Sequence, residues 1–169
     1  MTSRRPIAPL LFAIVATAAA ACVGMAACGG DARSDEAAAW VASMREASES
    51  ADRALARRDL GRAEHALRDA LGRDVPSAVA AEDRRIVRAD LHYRFAELEL
   101  GRGDPIRAEE LATRALDEGR ARDVFTANLL IVRGGAREAR GDDAGAAEDY
   151  YEALRISEEL MQSALGGEE

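Results

Sequence analysis

The 169-residue sequence has no lysine, all 23 basic residues being arginine, and only two cysteines, two histidines, four prolines and one tryptophan. Each scarcity excludes something. Cys22 and Cys28 both lie within the first 28 residues, so the rest of the chain can form no internal disulfide and is held by apolar burial. His65 and His92 fall on different predicted helices with no cysteine to complete a metal site, and both are read as solvated helix residues. The serines of "SMREASES", residues 43–50, lie on a predicted helix without a histidine in sequence reach. No H-E-x-x-H, G-x-S-x-G or phosphate-binding glycine loop occurs. The expectation is a non-enzyme without catalytic residues, cofactor or metal.

Long apolar runs are also scarce, with one exception. Arg4 and Arg5 precede an apolar run from Ile7 to Ala21, then small residues ending at Cys28. This is the layout of an export signal, with a basic start, an apolar middle and a small-residue end. The uncharged stretch from Ile7 to Cys28, 22 residues, is also long enough to remain as a membrane anchor, about 20 sufficing, although its alanine-rich character argues against that.

The residues Met25-Ala26-Ala27-Cys28 resemble the lipobox of bacterial lipoproteins, with Met where that family usually has Leu. The resemblance implies a signal peptide over 1–27, a lipid on Cys28 and a flexible tether over 28–34, followed by a domain over 35–165. Cys22, after a run of alanines, is the second candidate, and an ordinary secreted protein is a third reading. Gly29 and Gly30 after the cysteine imply sorting to the outer membrane, on its periplasmic side. Loss of Arg4 and Arg5 with the signal takes the formal charge from −8 to −10. So acidic a domain is ill-suited to nucleic acid, whose binding rests on cations that neutralise phosphates. Membrane attachment would come from the lipid alone.

Beyond Asp35 the chain is rich in Ala, Glu, Arg and Leu, with few β-branched residues and no alternating strand pattern. Turn signals predict six helices, near 35–57, 60–72, 78–101, 105–118, 123–140 and 143–163. The fold class expected is all-α.

Three stretches share a pattern: "ARRDLGRAEHALRDAL" at 56–71, "GRGDPIRAEELATRAL" at 101–116 and "ARGDDAGAAEDYYEAL" at 139–154. Gly103 and Gly141 stand where a helix ends and positive φ is wanted, and Asp59, Asp104 and Asp142 where the next begins. Pro105 suits a first helical position. The alanine pairs 63 and 70, 108 and 115, and 146 and 153 are seven apart, on one face of the second helix. Twelve residues before the first of each pair stands another small residue: Ala51, Ala96 and Gly134. The two "RGD" tripeptides, at 102–104 and 140–142, are explained by this turn and need no adhesive role. Tyr150 falls on the presumed packing face.

This pattern resembles the tetratricopeptide repeat (TPR) family, with units at 44–77, 89–120 and 127–160. The resemblance implies a short α-solenoid of about three TPR-like helix-turn-helix units. Three features depart from it. Equivalent alanines are 45 and then 38 residues apart instead of 34. Arg133 and Arg137 occupy positions where the family presents large apolar and aromatic residues. A closing proline is recognisable only near Pro76.

A solenoid offers a groove lined by the first helix of each unit. The implied function is that of an envelope lipoprotein acting as a protein-protein scaffold or adaptor in a membrane-associated assembly. The alternatives are a purely structural module and an accessory subunit of an enzyme complex. The register turns Ser48, Asp52, Tyr93, Glu97, Leu100, Asn128 and Ile131 toward the groove, a set suited to a partner protein or peptide with apolar anchors beside Arg or Lys.

Overall fold

The computed structural model describes residues 32–166, and these are all-helical, with no strand among them. Cys22, Cys28, the signal segment and residues 28–31 of the expected tether lie outside the described residues. Six helices follow in order: α1 (Ala32–Ala56), α2 (Leu60–Leu71), α3 (Ala81–Gly101), α4 (Pro105–Glu118), α5 (Val124–Ala139) and α6 (Asp143–Gly166). Helix α1 starts at Ala32, so residues 32–34 of the expected tether are helical. Asp35 in its first turn complements the helix dipole, and the alanines that follow are strong helix formers. Helix α3 starts three residues later than expected. A turn in which Val79 N–H donates to the Pro76 carbonyl (3.0 Å) precedes it, and tucks Val79 into the core.

The three repeated turns have one geometry. Arg58, Gly103 and Gly141 all adopt positive φ, of 59°, 84° and 81°. After each, an aspartate N–H donates back across the helix end at 2.9 Å: Asp59 to Ala54, Asp104 to Glu99 and Asp142 to Arg137. This is the hydrogen-bond pattern of a Schellman helix end. The carboxylates of the same aspartates then accept from Arg62, Arg107 and Gly145 N–H at 3.0, 3.0 and 3.1 Å, capping α2, α4 and α6. Asp123 caps α5 likewise, accepting from Thr126 N–H at 2.8 Å.

The small residues of the repeat are buried in all three units: Ala51, Ala63 and Ala70; Ala96, Ala108 and Ala115; Gly134, Ala146 and Ala153. Their size lets backbones approach. A Cβ on Gly134 would lie 2.7 Å from the Tyr150 ring, so only glycine admits that ring. Each helix packs on the next in sequence, α3 packs also on α5, and α1 touches α3 only lightly. One core runs through these contacts, from Trp40 and Met44 through Leu67, Leu91, Phe95 and Leu111 to Leu129, Leu130 and Ile156. No helix among the described residues is long and apolar enough to cross a membrane.

Candidate functional site

The light contact between α1 and α3 leaves a groove of about 380 Å³, to whose lining α5 contributes Phe125. On α1, Val41, Met44, Ser48 and Asp52 stand three or four residues apart and so share one face. On α3, Ile86, Asp90 and Arg94 recur every fourth residue, with Val87 and Leu91 beside them. The floor is therefore apolar and the rim charged. Arg94 ties the rim together, its Nη1 donating to Asp52 and its Nε to Asp90, both at 2.8 Å. Partial burial works against the Arg94 charge, but the two carboxylates hold its pKa above the ordinary arginine value. Arg45, exposed on the α1 rim, has no ion-pair partner among the described residues.

The residues expected in the groove are dispersed. Ser48 and Asp52 line it. Asp52 also lines a second hollow further along α1 and α3, and Glu97 stands there with it. Tyr93 and Leu100 are half-buried and pack on the core, against the expectation of a groove surface. The reason is that α3 is the central helix, flanked by α2, α4 and α5 as well as α1. Leu100 lies 3.3 Å from where a Cβ on Gly135 of α5 would stand. Partial burial and the neighbouring Glu97 carboxylate, which its hydroxyl meets, push the Tyr93 pKa up to about 12. Asn128 is half-buried and Ile131 exposed on α5, and neither lines the groove or the second hollow. The groove residues that the spacing of the repeat did not single out are Val41, Met44, Arg45 and Glu49 on α1, Ile86, Val87, Asp90, Leu91 and Arg94 on α3, and Phe125 on α5. On α1 their signal was spacing, since Val41, Met44 and Arg45 stand at i, i+3 and i+4 and so share the face of Ser48.

His92 departs most from expectation. It is buried, not solvated, and both ring nitrogens lack a hydrogen-bond partner. Burial pulls its pKa down to about 4; Glu118, with a carboxylate oxygen 3.8 Å from Nε2, opposes the fall, while Arg88, Arg114 and Arg107 add to it. An imidazole so placed is neutral near pH 7 and closed to substrate.

A larger hollow, about 700 Å³, runs along α4 between Ile106 and Arg140. Its charges are largely committed to neighbours: Glu109 to Arg137 and Arg140, Glu110 to Arg107, Glu118 to Arg88. Ile106 is the one large aliphatic side chain on its wall, so it lacks the apolar anchor that the α1/α3 groove supplies. Comparison with protein-family models, curated proteins and solved structures finds no match to this chain.

Proposed function

We propose that the chain is a lipid-anchored envelope protein whose helices form a short solenoid of three TPR-like units. In this reading it is a non-enzymatic adaptor that docks a segment of a partner protein in the groove between α1 and α3. The observation that carries the reading is the groove itself, an apolar floor of Val41, Met44, Ile86, Val87 and Leu91 inside a charged rim. Such a surface suits a peptide with apolar anchors and a few fixed charges. Three identical turns and the packing of each helix on its successor support the solenoid. The lipobox resemblance at Cys28 supports the anchor.

The test is in-cell photo-crosslinking from a light-activated residue at Ser48 in the groove and, as control, at exposed His65 on α2. The expected result is a discrete adduct from position 48, absent from position 65, and lost when Val41→Arg places a charge on the groove wall with helical circular dichroism intact. The same adducts from both positions, or none from position 48, would remove the groove from the reading.

A further inference from the structure

We infer that the outer face of α6 is a second docking surface, separate from the groove, and that its occupant is a basic amphipathic helix of another protein. The internal repeat shows what such a face does elsewhere in the molecule. Equivalent positions are Glu64, Leu67 and Leu71 on α2, Glu109, Ala112 and Leu116 on α4, and Ala147, Tyr150 and Leu154 on α6. On α2 and α4 this face meets the following helix. Glu64 accepts from Arg102, just past the end of α3, at 2.6 Å, and Glu109 pairs with Arg137 and Arg140 at the end of α5. Leu67, Ala112 and Leu116 are accordingly buried. Among the described residues no helix follows α6, and its face is open.

That face is not the polar surface expected of a helix face left open to water. Tyr151, Leu154, Met161 and Leu165 are 70, 56, 61 and 74% exposed. With Glu158 they form a stripe at alternating spacings of three and four residues, which is the seam along which a second helix packs. Charge decides the occupant. Glu158 stands exposed on this stripe and Glu148 exposed on its flank, neither with a cation partner among the described residues. A second copy fits poorly, because Glu158 is at the centre of the stripe. Parallel or antiparallel pairing of two α6 helices brings the two Glu158 carboxylates together. A helix with apolar residues at the same spacing and Arg or Lys opposite Glu148 and Glu158 fits.

The test uses the full-length chain and two fluorescently labelled synthetic helices. Both carry Leu at alternating three- and four-residue spacing, one flanked by Arg and the other by Glu at the same positions. Anisotropy is expected to show the Arg peptide binding at least about tenfold more tightly. Leu154→Asp or Met161→Asp, at exposed sites that leave helical circular dichroism intact, should weaken it about tenfold or more. Glu148→Arg with Glu158→Arg should reverse the preference between peptides, whereas Asp83→Arg with Asp117→Arg, equal in net charge, should not. Equal loss in both charge variants would show a general field and overturn the inference. So would Arg-peptide binding that Leu154→Asp leaves unchanged. A two-copy mass in light scattering that Leu154→Asp abolishes would replace the proposed occupant with a second copy.

Discussion

Arg133 and Asp149 form a buried bidentate ion pair between α5 and α6, with Nε to Oδ2 at 2.9 Å and Nη2 to Oδ1 at 2.5 Å. In the preceding unit the equivalent positions are Phe95 and Leu111, both in the apolar core. The third unit has thus replaced a hydrophobic contact with a charged one. Arg137 also reaches Asp149, at 3.0 Å, and passes the network on to Glu109 and Arg140. The planar guanidinium fork, matched to a carboxylate, makes the arrangement tolerable in a dry setting.

The pair should be costly to break and cheap to replace. Asp149→Ala leaves Arg133 buried and uncompensated, and should cost about 3 to 5 kcal/mol in urea unfolding. Restoring the second unit's pattern with Arg133→Phe and Asp149→Leu together should come within about 1 kcal/mol of the parent or exceed it. A double variant as unstable as Asp149→Ala would mean that the network, through Arg137 and Glu109, sets the α4–α5–α6 arrangement itself.

The three turns offer an internal comparison. Arg58 holds the left-handed conformation that Gly103 and Gly141 occupy in the later units, a state costing an L-residue about 1 kcal/mol. Arg58 is exposed and makes no side-chain bond among the described residues. Arg58→Gly should therefore raise stability by about 0.5 to 1 kcal/mol, and Gly103→Ala should lower it by a similar amount. Thermal unfolding of the two single variants checks both signs.

What the sequence displayed and what it hid have separate physical causes. The turns were legible because positive φ and N-capping each select few residue types, and Gly103, Gly141, Asp59, Asp104 and Asp142 carry both signals. The helix pairs were legible because the small residues at Ala63, Ala108 and Ala146 recur with the turns. Helix α3 was legible as a helix, but which way its faces turn was hidden. It buries Ala89, Leu91, His92, Phe95, Ala96, Leu98 and Glu99, almost all round its axis, so its periodicity does not point to one face. From sequence alone His92 therefore resembles a solvated residue, and Tyr93 and Leu100 resemble groove residues. The Arg133–Asp149 pair was hidden for a different reason: two charges sixteen residues apart look like surface until the helices carrying them are packed. The groove was half legible, since Ser48 and Asp52 follow from the register of α1, while Ile86, Val87 and Phe125 depend on how α3 and α5 are set against it.

Register makes a sharp stability contrast. Ala108 is fully buried on α4, and Ala108→Arg should cost about 3 kcal/mol or more by adding volume and charge to a close helix contact. Glu109 next to it is no neutral control, being half-buried and paired with Arg137 and Arg140. Exposed Glu110, paired only with Arg107, is the proper one, and Glu110→Ala should stay within about 0.5 kcal/mol. Equal melting temperatures for the two variants would show that the alanine face is misassigned.

The anchor can be checked apart from the fold. Replacing Cys28 with Ser should abolish fatty-acid labelling and release the chain from membranes, while Cys22→Ser should leave both unchanged. Labelling that persists in Cys28→Ser and disappears in Cys22→Ser would move the lipid to the earlier cysteine.

His92 makes a prediction in pH. Burial lowers its pKa to about 4 in the folded chain, whereas an unfolded chain takes up the proton near the ordinary 6.5. Between those values the unfolded state binds more protons, so the stability His92 permits is complete above about pH 6.5 and falls as pH drops toward 4. The shift corresponds to about 2 to 3 kcal/mol across the window. Carboxylates act at lower pH. Glu118, hydrogen-bonded by Arg88, and Glu64, hydrogen-bonded by Arg102, are held below the ordinary 4.5, so their contributions decline only as pH falls through 4.5 and beyond. The interval from 6.5 to 4.5 therefore belongs to His92. Because neither ring nitrogen has a hydrogen-bond partner, His92→Leu sacrifices no bond and retains most of the buried volume. Its melting temperature should be nearly flat across that interval and, at pH 7, no lower than the parent's by more than a few degrees. The parent should lose stability steadily over the same range, with the His92 ring proton resonance still unprotonated at pH 5. A parent profile that is flat there, or a variant that keeps the slope, would mean that the imidazole is hydrated or paired in solution and that its pKa is close to 6.5.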